Sequence, residues 1–276
     1  MFQLLTASHQ NTLARLIIKA HRISVLEIAA DLEKLIAQIR ADIPEKKRVS
    51  YGRYSIIKKL GLALYPLLKE KGIDVFNLAC EIFMKPELDQ FVRSLAVQLI
   101  SICGLEKEQL TRVLHIFEKA AADENWELRE CSAGFVRKLV KKYPERMKKW
   151  YLAQVKSQNP LQRRFASESL RPVADNRWFK KYPDFTFSII NNLFTESDPY
   201  PRTSAGNILS DWSKIDKEKI LNIVEELVNS HDKNSYWIAY RACRNLVKKE
   251  PLRVMELLRM DEYKYKKRIH YRRNYI

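Results

Sequence analysis

Glycine is scarce, with 6 residues in a chain of 276. Doubly wound nucleotide folds and glycine-lined phosphate loops need backbone that only glycine adopts easily, so both are excluded, and β-barrels with them. Cysteine is thinner still. Cys80, Cys103, Cys131 and Cys243 lie far apart with no C-x-x-C pair, which speaks against a zinc site or a disulfide framework and for small core residues in a reducing compartment. His9, His21, His115, His231 and His270 show no metal or triad spacing, and no H-E-x-x-H, G-x-S-x-G or Walker motif occurs. Lys, Glu or Arg break every apolar run well short of the roughly 20 residues a membrane span needs. The segment from Met1 to Ala14 lacks the basic start and apolar core of a secretory signal. These absences predict a soluble, intracellular protein.

Acidic residues are also in short supply: 33 Asp plus Glu face 50 Lys plus Arg, for a net charge of +17. The excess is concentrated. Leu128 to Lys181 carries 15 basic and 4 acidic residues, and Arg241 to Ile276 carries 12 and 4. Two basic blocks on an otherwise near-neutral chain fit a polyanion such as a phosphate backbone. The last of them ends in Tyr263-Lys-Tyr-Lys-Lys-Arg-Ile-His-Tyr-Arg-Arg-Asn-Tyr. Interleaved aromatics and cations there suit base stacking and phosphate contact, or simply a flexible basic tail.

The pattern that fills the chain is helical. Leu26, Ile28, Ala29, Leu32, Leu35, Ile36 and Ile39 recur at three- and four-residue steps before Pro44, and similar runs follow between regularly placed prolines. No alternating strand pattern appears, so the class is all-α. Five segments also align with one another, beginning near Asp89, Asn125, Leu161, Asp198 and Ser235. Each has a polar start, usually an Arg, then small residues, then an apolar helix. With Arg93, Arg129, Arg164, Arg202 and Tyr240 taken as equivalent, the spacings are 36, 35, 38 and 38. Helix pairs repeating near 40 residues predict a HEAT-like α-solenoid, with an irregular helical bundle as the competing architecture. In a solenoid the Arg positions start the helices that line the concave groove. They would form a phosphate-facing ladder there, or tie neighbouring repeats together through ion pairs.

Asn125-Trp-Glu-Leu-Arg-Glu, Arg163-Arg-Phe-Ala-Ser-Glu-Ser-Leu-Arg-Pro, Pro201-Arg-Thr-Ser-Ala-Gly-Asn-Ile-Leu-Ser-Asp and Trp237-Ile-Ala-Tyr-Arg-Ala-Cys-Arg-Asn-Leu-Val-Lys-Lys resemble the bacterial HEAT-repeat DNA alkylation repair glycosylases, the AlkC branch more than AlkD. The likeness divides residues 1–262, taken as one helical-repeat domain with a basic concave groove, into divergent N-terminal helices at 1–122 and family-like repeats at 123–251. A basic aromatic tail follows at 263–276. What the resemblance implies is a monofunctional glycosylase that hydrolyses the N-glycosidic bond of cationic alkylated purines, 3-methyladenine and also 7-methylguanine, in duplex DNA. It implies no metal and no organic cofactor. The expected partner is double-stranded DNA gripped through its phosphates, by a monomer that stays cytoplasmic and nucleoid-associated. A catalytically silent HEAT protein that holds damaged or branched DNA is the alternative, and a protein scaffold for an acidic partner is a third.

The matched motifs nominate residues. Trp126 and Glu130 stand one helical turn apart, and their order resembles the family's catalytic Trp and acid. Glu168 and Asp211 are acids of the next two repeats, and acids in a basic groove are costly against a polyanion unless they act. Each could instead neutralise a repeat arginine, Glu130 with Arg164 and Glu168 with Arg202. Arg129, Arg163, Arg164, Arg171, Arg202, Arg241, Arg244 and Lys248 are the candidate DNA contacts. Asn207 stands where AlkD would place a second wall Trp, with Trp178 as a substitute or a packing residue. Trp237 completes the set.

Overall fold

In the computed structural model, residues 3–20, 22–173 and 177–264 are described. Two compact units divide the chain, Met1–Lys142 and Tyr143–Ile276. The boundary falls inside the family-like span, and the tail beyond Lys264 lies outside the described residues. Both units consist of helices, with no strand among the described residues. The first holds α1 (Ala7–Lys19), α2 (Val25–Ala41), α3 (Arg53–Glu70), α4 (Val75–Phe83), α5 (Gln90–Cys103), α6 (Leu110–Ala121), α7 (Trp126–Phe135) and α8 (Arg137–Lys142). The second holds α9 (Pro144–Val155), α10 (Pro160–Ser169), α11 (Arg177–Lys181), α12 (Pro183–Ile190), α13 (Pro199–Trp212), α14 (Lys217–Asn229), α15 (Lys233–Ala242) and α16 (Pro251–Leu257). The fold is all-α and HEAT-like, as the periodicity predicts.

One device opens every repeat. Asp89, Asn125, Asn159, Asp198 and Asp232 cap α5, α7, α10, α13 and α15, each side chain accepting from backbone N–H groups of the first turn. Such a cap contributes about 1 kcal/mol, and proline at the first position of α10 and α13 pre-sets the helical φ. These capped helices pack on one another, α5 against α7 in the first unit and α10, α13 and α15 in sequence in the second. Small side chains seven residues after each cap, Ala96, Ser132, Ala166, Ala205 and Ala239, are buried, so neighbouring backbones approach closely.

The caps correct the repeat register. Four residues after them stand Arg93, Arg129, Arg163, Arg202 and Tyr236, so Arg163 and Tyr236 replace Arg164 and Tyr240 as the equivalent positions. They also correct the predicted phosphate ladder. Arg129 is 5% exposed, and its Nη1 donates to the carbonyls of Asp123 and Glu124 at 2.5 and 2.9 Å. Arg163 repeats the arrangement on Ser157 O and Gln158 O at 2.9 and 3.1 Å, and adds an ion pair with Glu196 at 2.6 Å. Arg93 pairs with Asp123 at 2.5 Å and donates to Phe83 O. Both acids sit two residues ahead of a cap, so these arginines staple one repeat to the loop that starts the next. Loop carbonyls thus engage both Arg129 and Arg163, and Arg163 is further held by Glu196. Arg163→Ala, which strands the buried Glu196 carboxylate, should cost about 3 kcal/mol, measured by urea unfolding. A loss below about 1 kcal/mol, the ordinary effect of a surface ion pair, would refute the staple.

Candidate functional site

Within the second unit α10 presents Glu168 to α13. Its side chain is 4% exposed and both oxygens are engaged. Oε1 accepts from Ser204 Oγ at 2.6 Å, and Arg164 Nη2 approaches it at 3.6 Å. Oε2 accepts from Arg171 Nη1 at 3.0 Å. Burial pushes this carboxyl up, but the Arg164 and Arg171 guanidiniums and the Ser204 hydroxyl outweigh it and hold Glu168 below the usual carboxylate range. Arg171 is shared. Its Nε donates to Asp211 Oδ2 at 2.8 Å, and Lys214 Nζ lies 3.2 Å from Asp211 Oδ1. Although burial works against the Arg171 cation, Glu168 and Asp211 more than restore it and raise its pKa.

Glu168 and Asp211, both expected as catalytic acids, are the two ends of a carboxylate–guanidinium–carboxylate bridge joining α10 to α13. The expected partner of Glu168 was Arg202, which instead donates to Asn234 at 2.5 Å. Arg171, proposed as a DNA contact, is the centre of the bridge. Its place two residues after the Ser-Glu-Ser motif carries no local sign of that.

Three of the expected DNA-contact arginines lie over aromatic rings. Arg164 lies 4.4 Å from the Tyr200 ring centroid, and Arg202 and Arg241 lie 4.9 and 5.6 Å from that of Trp237. Arg241 Nε also donates to Asn207 Oδ1 at 2.9 Å. Gly206 permits this, since a Cβ there would stand 2.7 Å from Arg241 Cβ. Asn207 thus positions an arginine. Each cation–π pair is worth about 0.5–2 kcal/mol. Tyr200 was absent from the predicted set, and its place two residues after the Asp198 cap is the signal that marks it. Arg244 is half-buried and Lys248 exposed. Trp178 is a packing residue: Phe179, Tyr182 and Phe185 surround it at 4.9–5.6 Å between ring centroids.

In the first unit Trp126 opens α7 and is 62% exposed. Glu130 follows one turn later on the same side, half-buried. Glu127, beside them, is taken by Arg53 at 2.7 Å, and Tyr54 of α3 lies against Gly134 further along the helix, its hydroxyl donating to Gly134 O at 3.4 Å. An exposed indole one turn from a carboxylate can bind a cation between a π-face and a negative charge. Thiol chemistry has no footing here, since burial pushes Cys131 and Cys103 up to about 12. Among the described residues no group of three or more His, Cys, Asp or Glu gathers around a possible metal position, and no helix is long and apolar enough to cross a membrane.

Solved structures with the same fold include AlkD2 from Streptococcus mutans, 24% identical over 77% of this chain and 97% of that one, with a TM-score of 0.56. The smu.31 protein from Streptococcus mutans UA159 is also 24% identical, over 70% and 98%, with a TM-score of 0.53. Pseudomonas fluorescens alkylpurine DNA glycosylase AlkC, bound to DNA containing an abasic site analog, is 18% identical over 94% and 68%, with a TM-score of 0.49. No curated protein sequence matches the chain. The model of the DNA alkylation repair enzyme family matches residues 66–246, about two thirds of the sequence, and the chain belongs to that family.

Proposed function

We propose that the protein is a DNA glycosylase that removes cationic alkylated purines, 3-methyladenine first and 7-methylguanine second, from duplex DNA. The observation that carries the reading is the exposed Trp126 one turn from Glu130 on α7, in a chain of the alkylation repair family. An N3- or N7-alkylated purine already bears positive charge, so it departs with the C1′–N9 electron pair and needs no protonation by a general acid. What remains is to stabilise the positive charge left on deoxyribose and to place a water at C1′. Glu130 supplies the negative charge and accepts the water's proton, as carboxylates do for oxocarbenium-like transition states in glycoside hydrolysis. The Trp126 face holds the cationic base or sugar. Glu168, through Arg171, positions the second unit's helices and does not touch the substrate.

Duplex binding falls to the cations. Phosphate contacts orient without reading sequence, so affinity is salt-sensitive and sequence-blind. Lys248→Ala, at an exposed position, should weaken every duplex alike and reduce the slope of log K against log salt by about 0.9. An effect confined to one sequence in a fluorescence anisotropy titration would contradict the phosphate role. The enzymatic reading itself is tested by incubating methylated duplex with the protein and identifying released bases by chromatography. Free 3-methyladenine supports it. No release from any alkylated duplex, with salt-sensitive binding intact, leaves a DNA-binding protein without catalysis.

A further inference from the structure

The segment after α16 is strapped to α15. It turns at Arg259, whose φ of 53° is left-handed backbone that a non-glycine residue adopts only under constraint. Arg259 N–H donates to Glu256 O and Met260 N–H to Met255 O, both at 3.0 Å, and Arg259 Nη2 donates to Asn229 Oδ1 at 2.7 Å, at the end of α14. The chain then passes along α15 from Tyr236 to Tyr240. The Tyr236 hydroxyl donates to Leu258 O at 2.8 Å and the Tyr263 hydroxyl to Tyr240 O at 2.8 Å, while the Tyr240 hydroxyl donates to Lys264 O. The Tyr240 and Tyr263 rings stack, with centroids 4.5 Å apart and planes 14° from parallel.

Covering apolar surface does not account for this strap. Val254 and Leu258 are fully buried ahead of it, whereas Asp261, Glu262 and Lys264 within it are exposed. What the strap does is fix where the chain goes next. Trp237 and Arg241 each stand one residue after a strap tyrosine, about 100° around the helix, and Arg202 of α13 lies over the same Trp237 ring. Lys264 is thus pinned to the residue that precedes Arg241. After it the sequence carries Lys266, Lys267, Arg268, Arg272 and Arg273, interleaved with tyrosines and with no acid among them. These residues lie outside the described ones, and their charge is of the sign and density that suits a phosphate backbone.

We infer that the strap is an anchor that delivers the basic segment after Lys264 to the DNA backbone, as a phosphate contact continuous with Arg241 and Arg202. The inference rests on the duplex-binding part of the proposed function and is independent of base removal. Once the Arg241 row meets a backbone, the tethered segment binds intramolecularly, and a shorter tether raises its effective concentration. Pinning Lys264 shortens that tether. Without the strap it begins at Leu258, six residues earlier.

The test measures binding of the full chain to a labelled, undamaged duplex by fluorescence anisotropy across a potassium chloride series. Replacing Lys266, Lys267, Arg268, Arg272 and Arg273 together with Gln should lower the slope of log K against log salt by more than about 1 and up to about 4.5, since each phosphate contact accounts for about 0.9. Tyr240→Phe combined with Tyr263→Ala removes the ring stack and both hydroxyl bonds at Lys264 but no charge. It should weaken binding about 3-fold or more, as a longer tether does, whereas a strap that only packs would leave affinity unchanged. A slope that falls by less than about 1 in the five-residue variant, or native affinity in the folded strap variant, would overturn the proposal. Should the strap variant fold poorly, the five-residue variant still decides. Native protein without salt-sensitive duplex binding would sink the duplex-binding reading and this proposal together. Native binding with either variant unchanged sinks this proposal alone, and failure to release alkylpurines touches neither.

Discussion

Replacing Glu168 with Ala should cost about 3–5 kcal/mol of folding free energy, because it leaves two guanidiniums facing a vacated, buried position. Arg164 and Arg171 both lean on that carboxylate, and Arg171 carries the connection on to Asp211. Glu168→Gln should cost less, since the amide oxygen can still accept from one partner. The bridge also sets an acid-side dependence. The folded-state pKa of Glu168 lies below its unfolded value of about 4.3, so its stabilisation is fully present above that value. It is lost as pH falls through the lower, folded-state pKa. Urea unfolding of native protein and Glu168→Gln between pH 7 and pH 3 checks this: the gap between the two should narrow on acidification. A constant gap would mean that the carboxylate charge contributes nothing to the bridge.

Glu130→Gln should lower release of 3-methyladenine by about 10²–10³-fold, the usual effect of deleting one electrostatic group that acts on developing charge. Gln keeps the shape and polarity of the side chain but presents no negative charge to the deoxyribose cation and cannot take the water's proton. Duplex affinity should stay the same or rise slightly, because a negative charge near phosphates is removed. Single-turnover assays separate the two, since a change in binding alone moves the half-saturating protein concentration and leaves the maximal rate intact.

Much of this was legible in the sequence, and the failures have physical causes. Apolar residues at three- and four-residue steps announce the helices, and a polar start ahead of each repeated segment announces the repeats. The register slipped at two places where neighbours share a chemistry. Arg163 and Arg164 are adjacent, and only the Asn159 cap decides which one turns toward the loop carbonyls. Tyr236 and Tyr240 are one turn apart, and Tyr236 is the one whose hydroxyl reaches Leu258 O, at 2.8 Å. The arginine ladder was visible as a pattern, but whether an arginine meets solvent or a carbonyl depends on loops that the pattern does not describe. Three acids in consecutive repeats suggested work to do. For Glu168 and Asp211 that work is done on Arg171, a residue that looked like one more phosphate contact.

The central claim is that the lesion is handled by the Trp126–Glu130 face and that Glu168 holds structure. The most direct measurement compares 3-methyladenine release by native protein, Glu130→Gln and Glu168→Gln under single-turnover conditions, at a temperature where all three are folded. Release that disappears in Glu130→Gln and persists in Glu168→Gln is the predicted result. Release that persists in Glu130→Gln and disappears in folded Glu168→Gln would contradict the claim and return the catalytic carboxylate to α10.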